Sequence, residues 1–194
     1  MGFSGLKRRP SLSGEFPVFQ LVHEVAQGGF TLDKTGHTLG SVLKSGSLVS
    51  YDEATRIARV MRGGTVVEDA ADGATAYKVE KGSFIVGDKA ANLVGGKSYA
   101  ITAIDTTNAN YDTITVSTSL GALTTGAPLF ESAASGASAG AFVATPKGLL
   151  YDHTLVEDNT FISVVLRGTV YARRIPSGTA AASALPLIIF SQSR

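Results

Sequence analysis

The stretch "YAITAIDTTNANYDTITV", residues 99–116, restricts the fold of this chain more than any other. Apolar, β-branched and aromatic residues alternate there with small or polar ones, and a polar turn divides the run in two. Tyr99, Ile101 and Ala103 fall on one face of a first strand, and Ile114 and Val116 do the same on a second. A period of two lines one face of a pleated strand, whereas a helix needs a period of 3.6. The stretch therefore predicts a β-hairpin.

The same chemistry recurs along the chain. "TLGSVLKSGSLVSYDEATRIARVM", residues 38–61, sets apolar pairs around Gly46 and around "YDEAT", which predicts strands joined by an Asp-led turn. "GLLYDHTLVEDNTFISVVLRGTVYARRIP", residues 148–176, carries the densest strand signal, with both faces of 161–166 partly apolar as in a central strand. Gly168 there predicts a bend, with "TVYARRI" as a further strand. "GSLVSYD" at 46–52 aligns with "GSFIVGD" at 82–88, so a small β-unit is used twice or both are a common strand-turn device. "FPVFQLVHEVA" at 16–26 suits a strand or a brief helix. Helix is otherwise supported only in "SGTAAASAL" at 177–185, where Ser177 or Thr179 is the capping residue.

Two segments lack such signals. Residues 1–17 have no apolar periodicity and contain two prolines and three adjacent cations, Lys7, Arg8 and Arg9, which predicts an extended arm. Those cations suit an acidic protein surface or phosphates, or else a solvated tail. "ESAASGASAGAF" at 131–142 is too poor in large side chains to build a core and reads as a linker.

Motifs for catalysis and cofactors are missing. "GGKS" at 95–98 resembles the end of a phosphate loop, but Ala91 stands where the first glycine is needed, and strand chemistry comes next where a helix must start. His23, His37 and His153 belong to no spaced metal motif. Glu68, Asp69 and Asp72 beside Gly73 have the composition of an exposed turn, and tryptophan, a common sugar platform, is absent. No nucleophile elbow or calcium loop occurs. The expectation is a binding protein and not an enzyme, with no cofactor and no metal.

Composition narrows the partners. Only 17% of residues are charged, below the roughly 25% usual in soluble domains, and Gly, Ala, Ser and Thr fill the difference. Few charges repel a neighbour, which suits a subunit packed against others. A net charge of +1 supplies no global field for nucleic acid or membranes, and zero cysteines exclude disulfides. "ALPLIIF" at 184–190 is far shorter than a bilayer span, and "MGFSGLKRRPSL" lacks both the apolar core of a signal peptide and the myristoylation pattern. Synthesis and residence in cytoplasm-like conditions are expected.

The outer segments carry a family likeness. "GSVLKSGSLVSYDEATRIARV" resembles the opening of head-decoration and head-fibre proteins of tailed bacteriophages, and "TPKGLLYDHTLVEDNTFISVVLRGTVYARRIP" resembles their closing part. The middle looks like a small β-module inserted between these halves. The likeness implies a mainly β fold, with an arm at 1–17, a split outer β-domain (barrel or tulip-like) at 18–73 and 133–194, and an inserted module at 74–132. It further implies a virion protein made in the bacterial host cytoplasm and placed on the capsid exterior. Its partners would be the major capsid protein and itself as a homotrimer, with Lys7, Arg8 and Arg9 as partner-binding residues. A glycan- or cell-surface-binding module of a fibre is the alternative.

Overall fold

The computed structural model describes residues 17–26 and 29–192. Lys7, Arg8 and Arg9 lie outside the described residues. The chain is mainly β, and among the described residues no α-helix occurs. The strands, in chain order, are β1 (Phe19–Val25), β2 (Phe30–Leu32), β3 (Val42–Leu43), β4 (Leu48–Asp52), β5 (Ile57–Val60), β6 (Gly63–Thr65), β7 (Ala76–Glu80) and β8 (Lys89–Ala91). They continue as β9 (Ser98–Asp105), β10 (Tyr111–Val116), β11 (Pro128–Glu131), β12 (Gly148–Leu150), β13 (Thr154–Leu155), β14 (Phe161–Ile162), β15 (Val164–Tyr171) and β16 (Ile188–Ser191).

Two curled sheets hold them. The larger runs β1-β15-β12-β4-β5-β2-β14, with β16 also paired to β15. Two clusters pack on it, one around Leu48, Leu149, Val165 and Ile175 and one around Phe30, Val49, Leu150 and Val164. Because successive residues of β4, β12 and β15 divide between them, they cover opposite faces of the sheet. The smaller sheet runs β6-β11-β8-β9-β10-β7 and curls until its ends meet, through a bridge between Val66 and Val79 and a 2.9 Å bond from Val67 N–H to the Lys78 carbonyl. Its interior holds Tyr77, Val79, Ile101, Ile114 and Leu129. Burying the Tyr77 ring contributes on the order of 2 kcal/mol. Its hydroxyl avoids a desolvation cost by donating to the Ala74 carbonyl at 2.7 Å and accepting the Leu120 N–H at 2.9 Å.

Turn chemistry matches the expected hairpins. Asp52 accepts the Ala54 N–H at 2.9 Å between β4 and β5, and Asp105 accepts the Thr107 N–H at 2.9 Å between β9 and β10. These backbone bonds hold both carboxyls below the usual carboxylate range. The "GGKS" stretch is the turn between β8 and β9, as its strand-rich continuation predicts.

Several expectations need correcting. Residues 63–65, expected in the outer segment, pair with β11 in the small sheet. Gly63 and Gly64 lie within β6 and allow a close approach, since a Cβ on Gly64 would sit 2.2 Å from Ser83 Oγ. The stretch 131–142 is not a free linker, because Ser132 bridges Phe142, Ser98 bridges Gly136, and the Phe130 and Phe142 rings lie 4.5 Å apart. Gly168 does not bend a strand boundary. It lies inside the continuous β15, where a Cβ would meet the Leu21 carbonyl at 2.6 Å.

The two seven-residue copies share only their entry turn, with Gly46 at φ 81° and Gly82 at φ 71°. The first then becomes β4, while the second stays irregular up to β8. Residues 177–185 form successive turns and not a helix. Gly178 at φ 52° breaks the helical path, and the i+3 bonds Ala180 N–H to Ser177 O and Ala182 N–H to Thr179 O tighten the turns after it. Ala103 is exposed, because an irregularity between Thr115 and Val116 turns Ile104 inward in its place.

Candidate functional site

Polar chemistry concentrates in two places. The first is the junction where the chain leaves the large sheet after Met61 and returns at Glu131. Arg62 N–H donates to Glu131 Oε2 at 3.1 Å, and Glu131 N–H donates to the Arg62 carbonyl at 2.9 Å, so the two crossing segments are tied to each other. The Arg62 guanidinium donates to both oxygens of Asp88 (2.7 and 2.5 Å), to Glu131 Oε1 (3.1 Å) and to the Gly36 carbonyl (2.7 Å). Arg59 adds a bond to Glu131 Oε1 at 3.0 Å, and Ile85 N–H adds one to Asp88 Oδ2 at 3.0 Å. Every oxygen of these two buried carboxylates accepts a bond, so neither stands ready to take a proton from a substrate. The cluster works as a clamp between the two sheets.

His37 borders this clamp. Its Nε2–H donates to the Val60 carbonyl at 3.0 Å. Burial holds its pKa below the usual histidine value, opposed by that hydrogen bond and reinforced by the charges of Arg62 and Arg59.

The second place is a groove of about 570 Å³ along β1. One wall is Pro17 to Val22, and the other is Ser45 with Tyr151, Asp152 and His153. The Phe19 and Tyr151 rings face each other at 5.7 Å with a 56° tilt. Serine, histidine and aspartate side by side suggest a hydrolytic triad, but the bonds run otherwise. Ser45 Oγ donates to the Tyr151 carbonyl at 2.6 Å, and His153 Nδ1 accepts the Ser45 backbone N–H at 3.3 Å. The hydroxyl proton points at a carbonyl and not at an imidazole, so the nucleophile is not activated. These residues shape a wall. Sequence reading missed the groove because Ser45 and His153 are separated by over a hundred positions and share no local motif.

The other candidates are scattered. His23 is exposed on β1, and Glu68 pairs with Lys78 at 2.6 Å. Asp69 accepts the Thr125 N–H at 2.7 Å, which lowers its pKa. Among the described residues no group of three or more His, Asp or Glu side chains is placed to hold a metal ion. Comparison with protein-family models, with curated proteins and with solved structures found no match to this chain.

Proposed function

We propose that the protein is a structural virion subunit that binds the outside of a tailed-phage capsid, as a decoration or head-fibre protein, and stabilises it as a homotrimer. The observation that carries this reading is a pair of exposed apolar rows at opposite ends of the large sheet. On β1, β15 and β16, Leu21 lies opposite Thr169 and Thr169 opposite Ile189, with Leu21 52% and Ile189 63% exposed. On β14, β2 and β5, Phe161 lies opposite Thr31 and Thr31 opposite Ile57, with Phe161 72% exposed. Two different apolar patches on opposite ends suit head-to-tail contact between copies, which makes a ring when the rotation from copy to copy closes after three.

The low charge density and the sequence likeness point the same way. A subunit that binds only the assembled lattice stabilises it by mass action, and a trimer multiplies weak contacts through high effective concentration. Lys7, Arg8 and Arg9 are proposed as partner-binding residues of the arm. Changing all three to Ala weakens capsid binding at low salt, and the defect shrinks as salt rises.

Sedimentation equilibrium of the protein alone, followed by imaging of capsids mixed with it, tests the reading. Three-fold density on capsids is expected, and it should be lost in Phe161→Asp and Ile189→Asp. Two-fold density, or no binding to any expanded capsid, overturns it. Binding on a glycan array without capsid binding would favour the fibre-module alternative.

A further inference from the structure

We infer that Asp72 and Gly73 form a self-modification site, where the main chain rearranges through a succinimide to isoaspartate. The inference goes beyond the proposed function and does not depend on it.

Asp72 is the one aspartate in the chain followed by glycine, and no asparagine is. A glycine has no side chain to hinder attack by its own nitrogen. The fold then separates Asp72 from the other turn aspartates. Asp33, Asp52 and Asp105 each accept the N–H two residues on, from Thr35, Ala54 and Thr107. That contact carries the carboxyl past the next peptide nitrogen. Asp72 instead accepts the N–H of Gly73 itself, N to Oδ1 at 3.1 Å, so its carboxyl rests against the nitrogen that has to attack it. Groups held at about 3–3.5 Å are within near-attack range.

The surroundings hold this pair and leave it room. Ala74 N–H donates to the Ala71 carbonyl at 3.1 Å, which closes a turn with Asp72 and Gly73 at its tip. Gly73 has φ 86°, a conformation that glycine adopts without strain. Before the turn, Ala70 exchanges backbone bonds with Leu123, at 2.7 and 3.0 Å. After it, the Tyr77 hydroxyl donates to the Ala74 carbonyl at 2.7 Å, so both ends are anchored. The tip itself is exposed, and a Cβ on Gly73 would meet no described atom within 4 Å. Water reaches the carboxyl there.

The chemistry needs no co-reactant but water. Gly73 N bonds to Asp72 Cγ and closes the succinimide ring, while the amide proton and the carboxyl hydroxyl leave as water. Water then opens the ring at one of its two carbonyls. Opening at the side-chain carbonyl restores the aspartate. Opening at the main-chain carbonyl leaves the chain running through Cγ, with a free α-carboxylate. Nothing is oxidised or reduced, and the water lost is returned. The product carries one more methylene in the main chain at the entry to β7.

The full chain, aged in warm buffer made with heavy-oxygen water and then digested, tests this by fragmentation mass spectrometry. Isoaspartate with heavy-oxygen uptake is expected at Asp72 at least about tenfold faster than at Asp52 or Asp105. In urea, where the fold no longer sets these contacts, that ratio should fall. Equal rates in the folded chain, or a ratio as large in urea, would overturn the inference. Asp72→Asn supplies a second readout at the same exposed tip, because the same attack then expels ammonia. Loss of the side-chain amide over the same period, with isoaspartate as the main product, is expected. An amide that persists in the folded variant also overturns it.

Discussion

Arg62 grips both carboxylate oxygens of Asp88, Nε to Oδ2 at 2.7 Å and Nη2 to Oδ1 at 2.5 Å, across the boundary between the large sheet and the small barrel. The side chains are 12% and 6% exposed, so the pair sits in low dielectric where a missing partner is costly. Arg62→Ala strips Asp88 of the guanidinium that pairs both its oxygens and leaves Glu131 with Arg59. It is expected to lower unfolding free energy by about 3–5 kcal/mol. Urea unfolding followed by fluorescence and by circular dichroism checks this, and a loss under about 1 kcal/mol, the usual worth of an exposed pair, would show that Arg59 and water replace the clamp.

His37 gives the clamp a pH dependence. Burial, the largest cause, lowers its folded pKa below the unfolded value of 6.5. The unfolded state therefore binds more protons between the two values, and stability falls as pH falls. The contribution is fully present above about pH 6.5 and is lost as pH drops through the lowered folded pKa. The turn carboxylates Asp33 and Asp52 titrate in a separate, more acidic window, since their pKa values lie below the ordinary 3.8. Melting temperature measured from slightly alkaline to mildly acidic pH should decline for the native chain below neutrality. In His37→Gln that first decline should vanish.

Gly64 is a matter of space and not of backbone torsion. A Cβ there would meet Ser83 Oγ at 2.2 Å and Ser83 Cβ at 2.6 Å, where β6 passes the turn after β7. Gly64→Ala is expected to cost about 1–3 kcal/mol by overpacking. Pairing it with Ser83→Gly should recover part of the loss in a double-mutant cycle, because the steric partner is gone. Additive losses would locate the strain elsewhere.

Ser177 is fully buried, and among the described residues its Oγ has no hydrogen-bond partner. It was expected to cap a helix, and no helix forms. A buried unsatisfied hydroxyl costs about 1–3 kcal/mol, so Ser177→Ala is expected to be neutral or to raise the melting temperature. Clear destabilisation would mean that a water or a partner group satisfies the hydroxyl in solution.

Local chemistry in the sequence was enough to determine the β4–β5 and β9–β10 hairpins and the turns within them. Ile101, Ile114 and Val116 alternate inward because a pleat has a period of two, and Asp52 and Asp105 mark turns because a short carboxylate can accept a backbone N–H two residues on. These are interactions over a few residues, so they can be read without the fold. Tertiary structure alone decided what long-range pairing decides. It drew Gly63 and Gly64 into the barrel, because their lack of side chains lets β6 lie against Ser83. It denied Ser177 its helix, because Gly178 turns to φ 52° where it packs closely against Pro128. It brought Ser45 beside His153, and Arg62 beside Asp88 and Glu131, from separations of 108, 26 and 69 positions. Such contacts depend on strand register and sheet closure, which no single stretch encodes.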